Sequence, residues 1–415
     1  MPLLRFRSVA VVSLLALLAS PMLLAQAFTF GPPQDIAIFP TRVVLFQNAA
    51  IAMNGDGNAD VYLSLNTGNF IYVGDGTGKF SSPITVGGSA NSYSVQGLRF
   101  YDVNGDGFAD EVFSYAGFSN SGVDYPGVFA VLLGDGKGNF NQTTSIPQPV
   151  NHDDYYNPSI APGDFNNDGK MDFVTTFLDS INGKDYARLN VYLNKGGGVF
   201  ESGLSTEAVG SPSAPVVGDF NGDGNQDIVW LDSDPEGGST NRFAVHCLYG
   251  NRDGTFKTDT ICYVLDGAPY KAGAADFNHD GMTDLVVYTG PKVGAAGARA
   301  RLATLFAKKG GFYWSSSVPA PSELSESSGP LQMMDLNGDG NLDVDISPIP
   351  WNYLFKAHGN GVFGGVQQII INTGLSPMFA PVSKGQRPAM FYVADDASDP
   401  DYSAKIVLEL NTSPK

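Results

Sequence analysis

The chain has 415 residues, of which 43% are hydrophobic, so it can bury a sizeable core and does not have the composition of a disordered protein. Fifty glycines, 26 prolines and only 16% charged residues favour a turn-rich architecture over a helical bundle or a coiled coil. The formal net charge of −18 argues against nucleic acid as a partner, because phosphate binding needs a basic face, and it raises the question of bound cations.

Residues 1–27 have the pattern of a signal peptide. Two arginines precede an apolar run from Val9 to Leu18, and Ala25–Ala27 provides a small-residue cleavage site. An uncleaved anchor is the alternative, because the run approaches the ~20 residues that a bilayer requires. We expect cleavage, no stable membrane insertion of the mature chain, and a secreted, periplasmic or extracellular domain over residues 28–415.

A nine-residue motif, D-x-N-x-D-G-x-x-D, organises the chain. An incomplete copy, Ala52–Asp60, lacks the first carboxylate. The five full copies are Asp102–Asp110, Asp164–Asp172, Asp219–Asp227, Asp276–Asp284 and Asp335–Asp343. Successive copies start about 50–60 residues apart, which is the spacing of a structural repeat.

Each repeat predicts four strands. A short apolar stretch precedes the motif, a β-branched or aromatic run follows it, a third run ends in a glycine turn, and a fourth, less regular run closes the unit. No segment of the mature chain shows sustained helical periodicity. Four strands per repeat indicate an all-β fold, a seven-bladed β-propeller with four-stranded blades.

The seventh blade, about Met378–Leu410, keeps the strand pattern and loses the acids. Its fourth strand is missing from the C-terminal sequence. The segment Phe28–Phe39 resembles the fourth strands of other repeats, so we predict that this N-terminal strand completes the C-terminal blade and closes the ring. In the acid-free loop, Lys384 or Arg387 is a candidate to replace a bound cation with a side-chain charge.

The motif has the ligands that Ca²⁺ prefers. Alternating carboxylate and amide oxygens, a glycine for the sharp turn, a backbone carbonyl and a last carboxylate form a shell of hard oxygen donors. The predicted calcium ligands, with position seven acting through its carbonyl, are Asp102, Asn104, Asp106, Phe108, Asp110, Asp164, Asn166, Asp168, Lys170, Asp172, Asp219, Asn221, Asp223, Asn225, Asp227, Asp276, Asn278, Asp280, Met282, Asp284, Asp335, Asn337, Asp339, Asn341 and Asp343. The incomplete copy offers Asn54, Asp56 and Asp60 as a weaker set.

Three other interpretations of these loops need weighing. A dockerin-like pair would recur at about half this period and would be helical. An EF-hand would need Glu at the twelfth position and a following helix, whereas strand-like runs follow here. A metal-free Asx turn is the simpler alternative, although a turn alone does not need three carboxylates at fixed spacing. We therefore expect about five structural Ca²⁺ ions.

With these motifs in view, residues 28–415 resemble the FG-GAP (VCBS-type) repeat family, whose relatives include the propeller of integrin α subunits. The resemblance rests on the nine-residue loop and on the Gly-x-Gly-x-Phe turn, as in Gly74–Phe80 and Gly134–Phe140. It implies Ca²⁺ in the loop between the first and second strands of a blade, and ligands on the opposite face. The incomplete loop and the acid-free loop depart from the family pattern.

The opposite face is built from long connections, one of which contains a cluster of acids and tyrosines. Asp153 and Asp154 precede Tyr155 and Tyr156, and exposed aromatic rings beside acids suit a sugar or peptide ligand. The alternative is that these tyrosines only cover the rim.

Cys247 and Cys262 fall on the predicted third and fourth strands of one blade. Neighbouring antiparallel strands can carry a disulfide in an oxidising compartment. The strand register decides whether the two residues are bridged or remain buried thiols, and the sequence leaves both open.

The function expected from the sequence is a non-catalytic protein- or glycan-binding or adhesion module. The chain contains no HExxH, GxSxG or P-loop motif, and its four histidines share no pattern. The alternatives are an extracellular carbohydrate-active enzyme resembling a polysaccharide lyase, and a purely structural envelope component.

Overall fold

The computed structural model describes residues 28, 30–39, 45–65, 67–87, 96–115, 118–120, 123–125, 127–148, 159–181, 184–208, 213–232, 243–292, 297–321, 331–347, 351–370, 378–395 and 404–413. These residues form thirty β-strands and contain no helix, and therefore no helix that could span a membrane. The predicted signal peptide lies outside the described residues.

Blades 1 to 3 are four-stranded antiparallel sheets whose strands follow chain order from the inner to the outer edge. Blade 1 contains β2 (Leu45–Ile51), β3 (Asp60–Leu65), β4 (Gly68–Tyr72) and β5 (Ile84–Thr85). Blade 2 contains β6 (Gln96–Tyr101), β7 (Asp110–Tyr115), β10 (Gly127–Gly134) and β11 (Phe140–Gln148). Blade 3 contains β12 (Ile160–Gly163), β13 (Asp172–Ile181), β14 (Lys184–Gly196) and β15 (Val199–Ala208).

Blades 4 to 6 repeat the same order. Blade 4 contains β16 (Val216–Gly218), β17 (Asp227–Asp232), β18 (Phe243–Leu248) and β19 (Thr260–Leu265). Blade 5 contains β20 (Pro269–Ala275), β21 (Asp284–Thr289), β22 (Arg301–Lys308) and β23 (Gly311–Pro319). Blade 6 contains β24 (Leu331–Met334), β25 (Asp343–Ile346), β26 (Trp351–Ala357) and β27 (Phe363–Ile370).

Blade 7 combines strands from both ends of the chain. β28 (Met378–Pro381), β29 (Pro388–Asp395) and β30 (Ala404–Glu409) are followed at the outer edge by β1 (Gln34–Phe39), which pairs antiparallel with β30. This arrangement agrees with the predicted closure. Phe28 adds a contact with blade 6, because its N–H donates to Gln367 Oε1 at 2.6 Å and its carbonyl accepts from Gln367 Nε2 at 2.9 Å.

The second strand of several blades is buried from end to end because neighbouring blades cover both of its faces. β3, β17 and β21 are buried along their whole length. Seven apolar clusters lie between successive blades, the last of them between blades 7 and 1, so the blades form a ring. The predicted all-β, seven-bladed propeller with four-stranded blades is confirmed.

Two local features were not fixed by the sequence. A short hairpin, β8 (Phe118–Asn120) with β9 (Val123–Tyr125), interrupts the connection between the second and third strands of blade 2. The third and fourth strands of blade 4 place Cys247 opposite Thr260, and a disulfide joins Cys247 to Cys262. Of the two states that the sequence left open for these cysteines, the structure has the bridged one.

Candidate functional site

The six acidic loops occupy equivalent places, each joining the first and second strands of blades 1 to 6. All six therefore lie on the same face of the ring, and the ninth residue of each loop begins the second strand. The loop positions are numbered one to nine from here on. Position six is a glycine with φ between +81° and +90° in every copy, a conformation that a residue with a Cβ adopts only under strain.

The position-one carboxylate holds the turn together. In all five full loops its Oδ2 accepts the N–H of the position-six glycine at 2.8–3.0 Å. Its Oδ1 accepts the N–H of the position-five aspartate at 3.1–3.2 Å. The first aspartate therefore satisfies backbone donors that a tight turn would leave unpaired.

Positions three and five continue this pattern. The position-five Oδ1 accepts the N–H of position seven at 2.9–3.0 Å in every full loop. The position-three Asn Oδ1 accepts the N–H of position five in four of them, at 2.8–3.0 Å. In the loop of blade 4, Asn221 Nδ2 instead donates to Asp227 Oδ2 at 3.1 Å. Oxygens of all three positions thus point into one turn.

The position-nine aspartate is a buried anchor. Asp110, Asp172, Asp227, Asp284 and Asp343 have no exposed surface. In each, Oδ2 accepts the N–H of position two at 2.9–3.1 Å. Oδ1 accepts a backbone N–H within two residues of the end of the third strand at 2.7–2.9 Å. This side chain therefore ties the loop to the third strand of its own blade.

The surroundings of these five aspartates destabilise their ionised form. Burial is the largest cause that raises the pKa of these carboxyls, to about 6 in Asp110, Asp172 and Asp284 and to about 7 in Asp227 and Asp343. The carboxylates at positions five and one raise each pKa further by repulsion, while the backbone N–H donors lower it. Negative charge is concentrated in every full loop.

The donor set of these loops fits a hard divalent cation. Carboxylate, amide and carbonyl oxygens are the ligands that Ca²⁺ takes. Among the described residues, no three Asp, Glu, His or Cys side chains converge as a closed metal cage. In the structure the carboxylates are held by backbone N–H groups, and the cation assignment rests on donor chemistry and charge.

The loop of blade 1 departs from this pattern at its first position. Ala52 provides no acceptor, and Asp60 Oδ2 accepts two N–H groups instead, from Met53 at 2.8 Å and Asn54 at 3.3 Å. Burial raises the pKa of Asp60, and repulsion from the Asp56 carboxylate raises it further. This loop keeps the anchor and carries less charge than the full copies.

The loop of blade 7 has basic residues in place of acids. Lys384 packs on the loop of blade 1, where a Cβ added to Gly57 would lie 3.4 Å from Lys384 Cβ. Arg387 packs on the loop of blade 6, where a Cβ added to Gly338 would lie 3.1 Å from Arg387 Nε. Both side chains therefore pack against neighbouring acidic loops. The predicted ligand-face residues Asp153, Asp154, Tyr155 and Tyr156 lie outside the described residues.

Comparison with known proteins agrees with this geometry. A sequence model of the FG-GAP-like repeat matches residues 53–113, 118–175 and 177–230, which cover blade 1 from its acidic loop onwards, blades 2 and 3, and part of blade 4. Together with the seven-bladed ring, these matches decide the family. The chain is an FG-GAP repeat β-propeller protein. A search of curated protein sequences returned no match.

Solved structures share the fold of this FG-GAP propeller at low sequence identity. A lectin from Agrocybe aegerita, described for its specific recognition of non-reducing terminal N-acetylglucosamine, is similar with a TM-score of 0.54 and 19% identity over 80% of both chains. BBS1N in its complex with ARL6DN is similar with a TM-score of 0.53 and 10% identity, over 94% of this chain and 99% of that one. At these identities the similarity shows the fold alone.

Proposed function

We propose that this FG-GAP propeller is a secreted or periplasmic calcium-binding module that uses its rigid ring to bind an extracellular protein or glycan without catalysis. The observation that supports calcium binding is the clustering of three carboxylates in each of the five full loops. In each of the five full loops, carboxylates at positions one and five repel a third carboxylate that has no exposed surface. A divalent cation removes that repulsion and favours the ionised form.

The proposed location is an oxidising, calcium-rich compartment outside the cytoplasm. The Cys247–Cys262 disulfide suits a secreted or periplasmic protein. Extracellular modules commonly bind Ca²⁺ with dissociation constants of about 10⁻⁴–10⁻³ M, a range in which exposed loops such as these would be filled outside the cell. The apolar run of residues 9–18 and the small residues before position 28 support export.

The proposed binding of a protein or glycan is supported by the architecture of the ring. On the described strands, the long free edges of the closed ring are the outer strands of its seven blades. The ring holds its surface loops on a rigid frame. The same fold occurs in a lectin and in a protein of a two-protein complex, so it is compatible with both ligand classes. Binding without turnover is the simplest function consistent with a chain that contains no recognised catalytic motif.

Calcium counting tests the proposal. The purified chain is stripped with a chelating resin, titrated with CaCl₂, and followed by elemental analysis and by thermal unfolding. We expect about five ions per chain and a rise in Tm of several degrees, because a ligand that binds the native state alone adds RT ln(1 + [L]/Kd), about 4 kcal/mol at a thousandfold excess over Kd. MgCl₂ at the same concentration is the control and should give a smaller rise. A stripped protein that takes up no calcium at millimolar CaCl₂ and keeps its Tm contradicts the proposal.

A further inference from the structure

Four of the six acidic loops have the same residues, Asn-Gly-Asp-Gly, at positions three to six. An Asn-Gly pair is chemically reactive, because the glycine nitrogen can attack the side-chain amide carbon of the asparagine and no Cβ hinders its approach. The three residues that follow the asparagine are the same in all four loops, so a difference in reactivity between them reflects the fold. The four asparagines are Asn54, Asn104, Asn221 and Asn337.

The position-one carboxylate restrains the reacting nitrogen in three of these loops. The N–H of the position-four glycine donates to the Oδ1 of Asp102, Asp219 or Asp335 at 2.6–2.7 Å. Attack on the asparagine requires this nitrogen to lose its proton and to turn towards the side-chain carbon. A hydrogen bond to a carboxylate holds the proton in place, and the negative charge disfavours a deprotonated nitrogen. These three aspartates therefore protect the Asn-Gly pairs beside them.

The loop of blade 1 lacks this restraint. Ala52 has no side-chain oxygen, and among the described residues the N–H of Gly55 has no hydrogen-bond acceptor. Asp60 accepts the N–H of Asn54 at 3.3 Å, so the anchor holds the peptide group before the pair and not the nitrogen that reacts. Gly55 is exposed, so water reaches the pair from solvent.

The pair in blade 2 provides a matched comparison. Asn54 Nδ2 donates to Asp56 Oδ2 at 3.2 Å, and the N–H of Asp56 donates to Asn54 Oδ1 at 3.0 Å. In blade 2, Asn104 Nδ2 donates to Asp106 Oδ2 at 2.8 Å, and the N–H of Asp106 donates to Asn104 Oδ1 at 2.9 Å. Both asparagines are half-buried. The two side chains thus have the same partners, and the loops differ in the acceptor at position one.

Position 55 has to be glycine, which keeps the reactive pair in the chain. Gly55 has φ of +74°, and a Cβ there would lie 2.3 Å from the carbonyl oxygen of Gly107 in blade 2. A larger residue would slow the attack on Asn54, but the contact between the two blades excludes it. The packing of the ring therefore requires this glycine in the one loop of the four that has no protecting carboxylate.

We propose that Asn54 is a site of spontaneous modification, at which the asparagine becomes aspartate or isoaspartate through a cyclic imide. The nitrogen of Gly55 bonds to Cγ of Asn54, the bond between Cγ and Nδ2 breaks, and ammonia leaves with the proton of the attacking nitrogen. Water then opens the imide. Cleavage at Cγ gives aspartate, and cleavage at the backbone carbonyl gives isoaspartate.

The modification changes the charge of the incomplete loop. Both products carry a negative charge that the amide lacks, and the aspartyl product places a carboxylate at position three beside Asp56 and Asp60. The loop of blade 1 then has three carboxylates, as the full loops have. This consequence rests on the proposed calcium function, because a loop with more carboxylates binds Ca²⁺ more tightly.

Peptide mapping by mass spectrometry tests the site. The folded, calcium-free chain is aged in mildly alkaline buffer below its Tm, and the conversion of each asparagine is followed over time. We expect Asn54 to react about tenfold faster than Asn104, the factor that corresponds to the loss of one hydrogen bond to a charged group. In the urea-unfolded chain the two rates should be equal, because the following residues are the same. Equal rates in the folded chain overturn the proposal.

Reciprocal variants move the acceptor between the two loops. Ala52→Asp should lower the rate at Asn54 to that of Asn104, and Asp102→Ala should raise the rate at Asn104 to that of Asn54. Asn221 is the internal reference in both variants and should keep its rate. Thermal unfolding checks that each variant is folded under the ageing conditions. A rate at Asn54 that Ala52→Asp leaves unchanged overturns the protective role of the carboxylate.

Asn54→Asp fixes the aspartyl product and tests its consequence. It should raise the calcium count by about one ion per chain relative to Asn54→Gln, the control that keeps an amide at this position. Equal counts in the two variants overturn the gain of a cation site and leave the modification standing. A wild-type chain that takes up no calcium contradicts the proposed function separately, since the mapping is done without calcium.

Discussion

The full acidic loops of blades 2 to 6 differ from the incomplete loop of blade 1 and the acid-free loop of blade 7. The difference distinguishes the residues that the fold requires from those that a bound cation would require. Blade 1 has lost the first aspartate and keeps the ninth, whose carboxylate still joins position two to the end of the third strand region through Met53 and Gly74. Blade 7 has no acidic residue in its loop and still forms a complete four-stranded sheet. The position-nine carboxylate therefore has a structural role where it occurs, and blade 7 shows that a blade can form without any acidic residue in this loop.

The largest effect is expected from removing an anchor. Asp227→Ala leaves the buried N–H groups of Phe220 and Gly250 without their acceptor, which costs on the order of 3 kcal/mol. The loss should appear in thermal or urea unfolding both with calcium and after chelation. Asp60→Ala in blade 1 is the matched variant and should behave alike. An anchor variant that is destabilised only when calcium is present would remove the distinction between the two roles.

A smaller and conditional effect is expected at position five. Asp106→Ala should lower the calcium count by about one ion and reduce Tm only when calcium is present, because Asp106 belongs to a full loop. Asp56→Ala changes the same position of the incomplete loop and should leave the count unchanged. Elemental analysis and paired melting curves measure both variants. Equal losses of calcium would show that the Ala52 loop binds an ion as well as the full loops do.

The smallest effect concerns a buried carboxyl outside the loops. Asp345 has no exposed surface and lies two residues after its anchor, where Val112, Val174, Val229 and Val286 stand in blades 2 to 5. Burial raises its pKa from 3.8 to about 7, and a hydrogen bond from Ser347 lowers it. The folded chain therefore keeps this proton between about pH 4 and pH 7 when the unfolded chain has lost it, so stability falls as pH rises through that window.

Asp345→Asn should remove this part of the pH dependence. With saturating calcium, the fall in Tm between pH 5 and pH 8 should be smaller than in the wild-type chain by roughly 3–6 °C. Glu201→Gln, at an exposed side chain paired with Lys195, is the control and should retain the wild-type slope. Parallel wild-type and Asp345→Asn curves would show that this carboxyl is ionised in the folded chain at every pH tested.

The sequence predicted the ring because each repeat carries its own strand and turn signals. The nine-residue loops mark the first two strands of six blades, and glycine turns such as Gly74–Phe80 mark the next two. The sequence did not predict which partner satisfies each carboxylate. The motif places Asp110 and Asp172 at the ninth position of their loops. The N–H groups that their Oδ1 atoms accept belong to the third strand, which lies many residues away in the sequence.

Pairing of β1 with β30 places an early-made and a late-made segment of the chain side by side. Phe28 and Gln367, which exchange two hydrogen bonds, are 339 positions apart in sequence. Six blades can assemble from local pairings while the chain is being synthesised, but the seventh has to wait for residues near the C-terminus. Until then, one side of blade 1 and one side of blade 6 have no neighbour. Chaperone dependence during biogenesis should therefore be concentrated at these two surfaces.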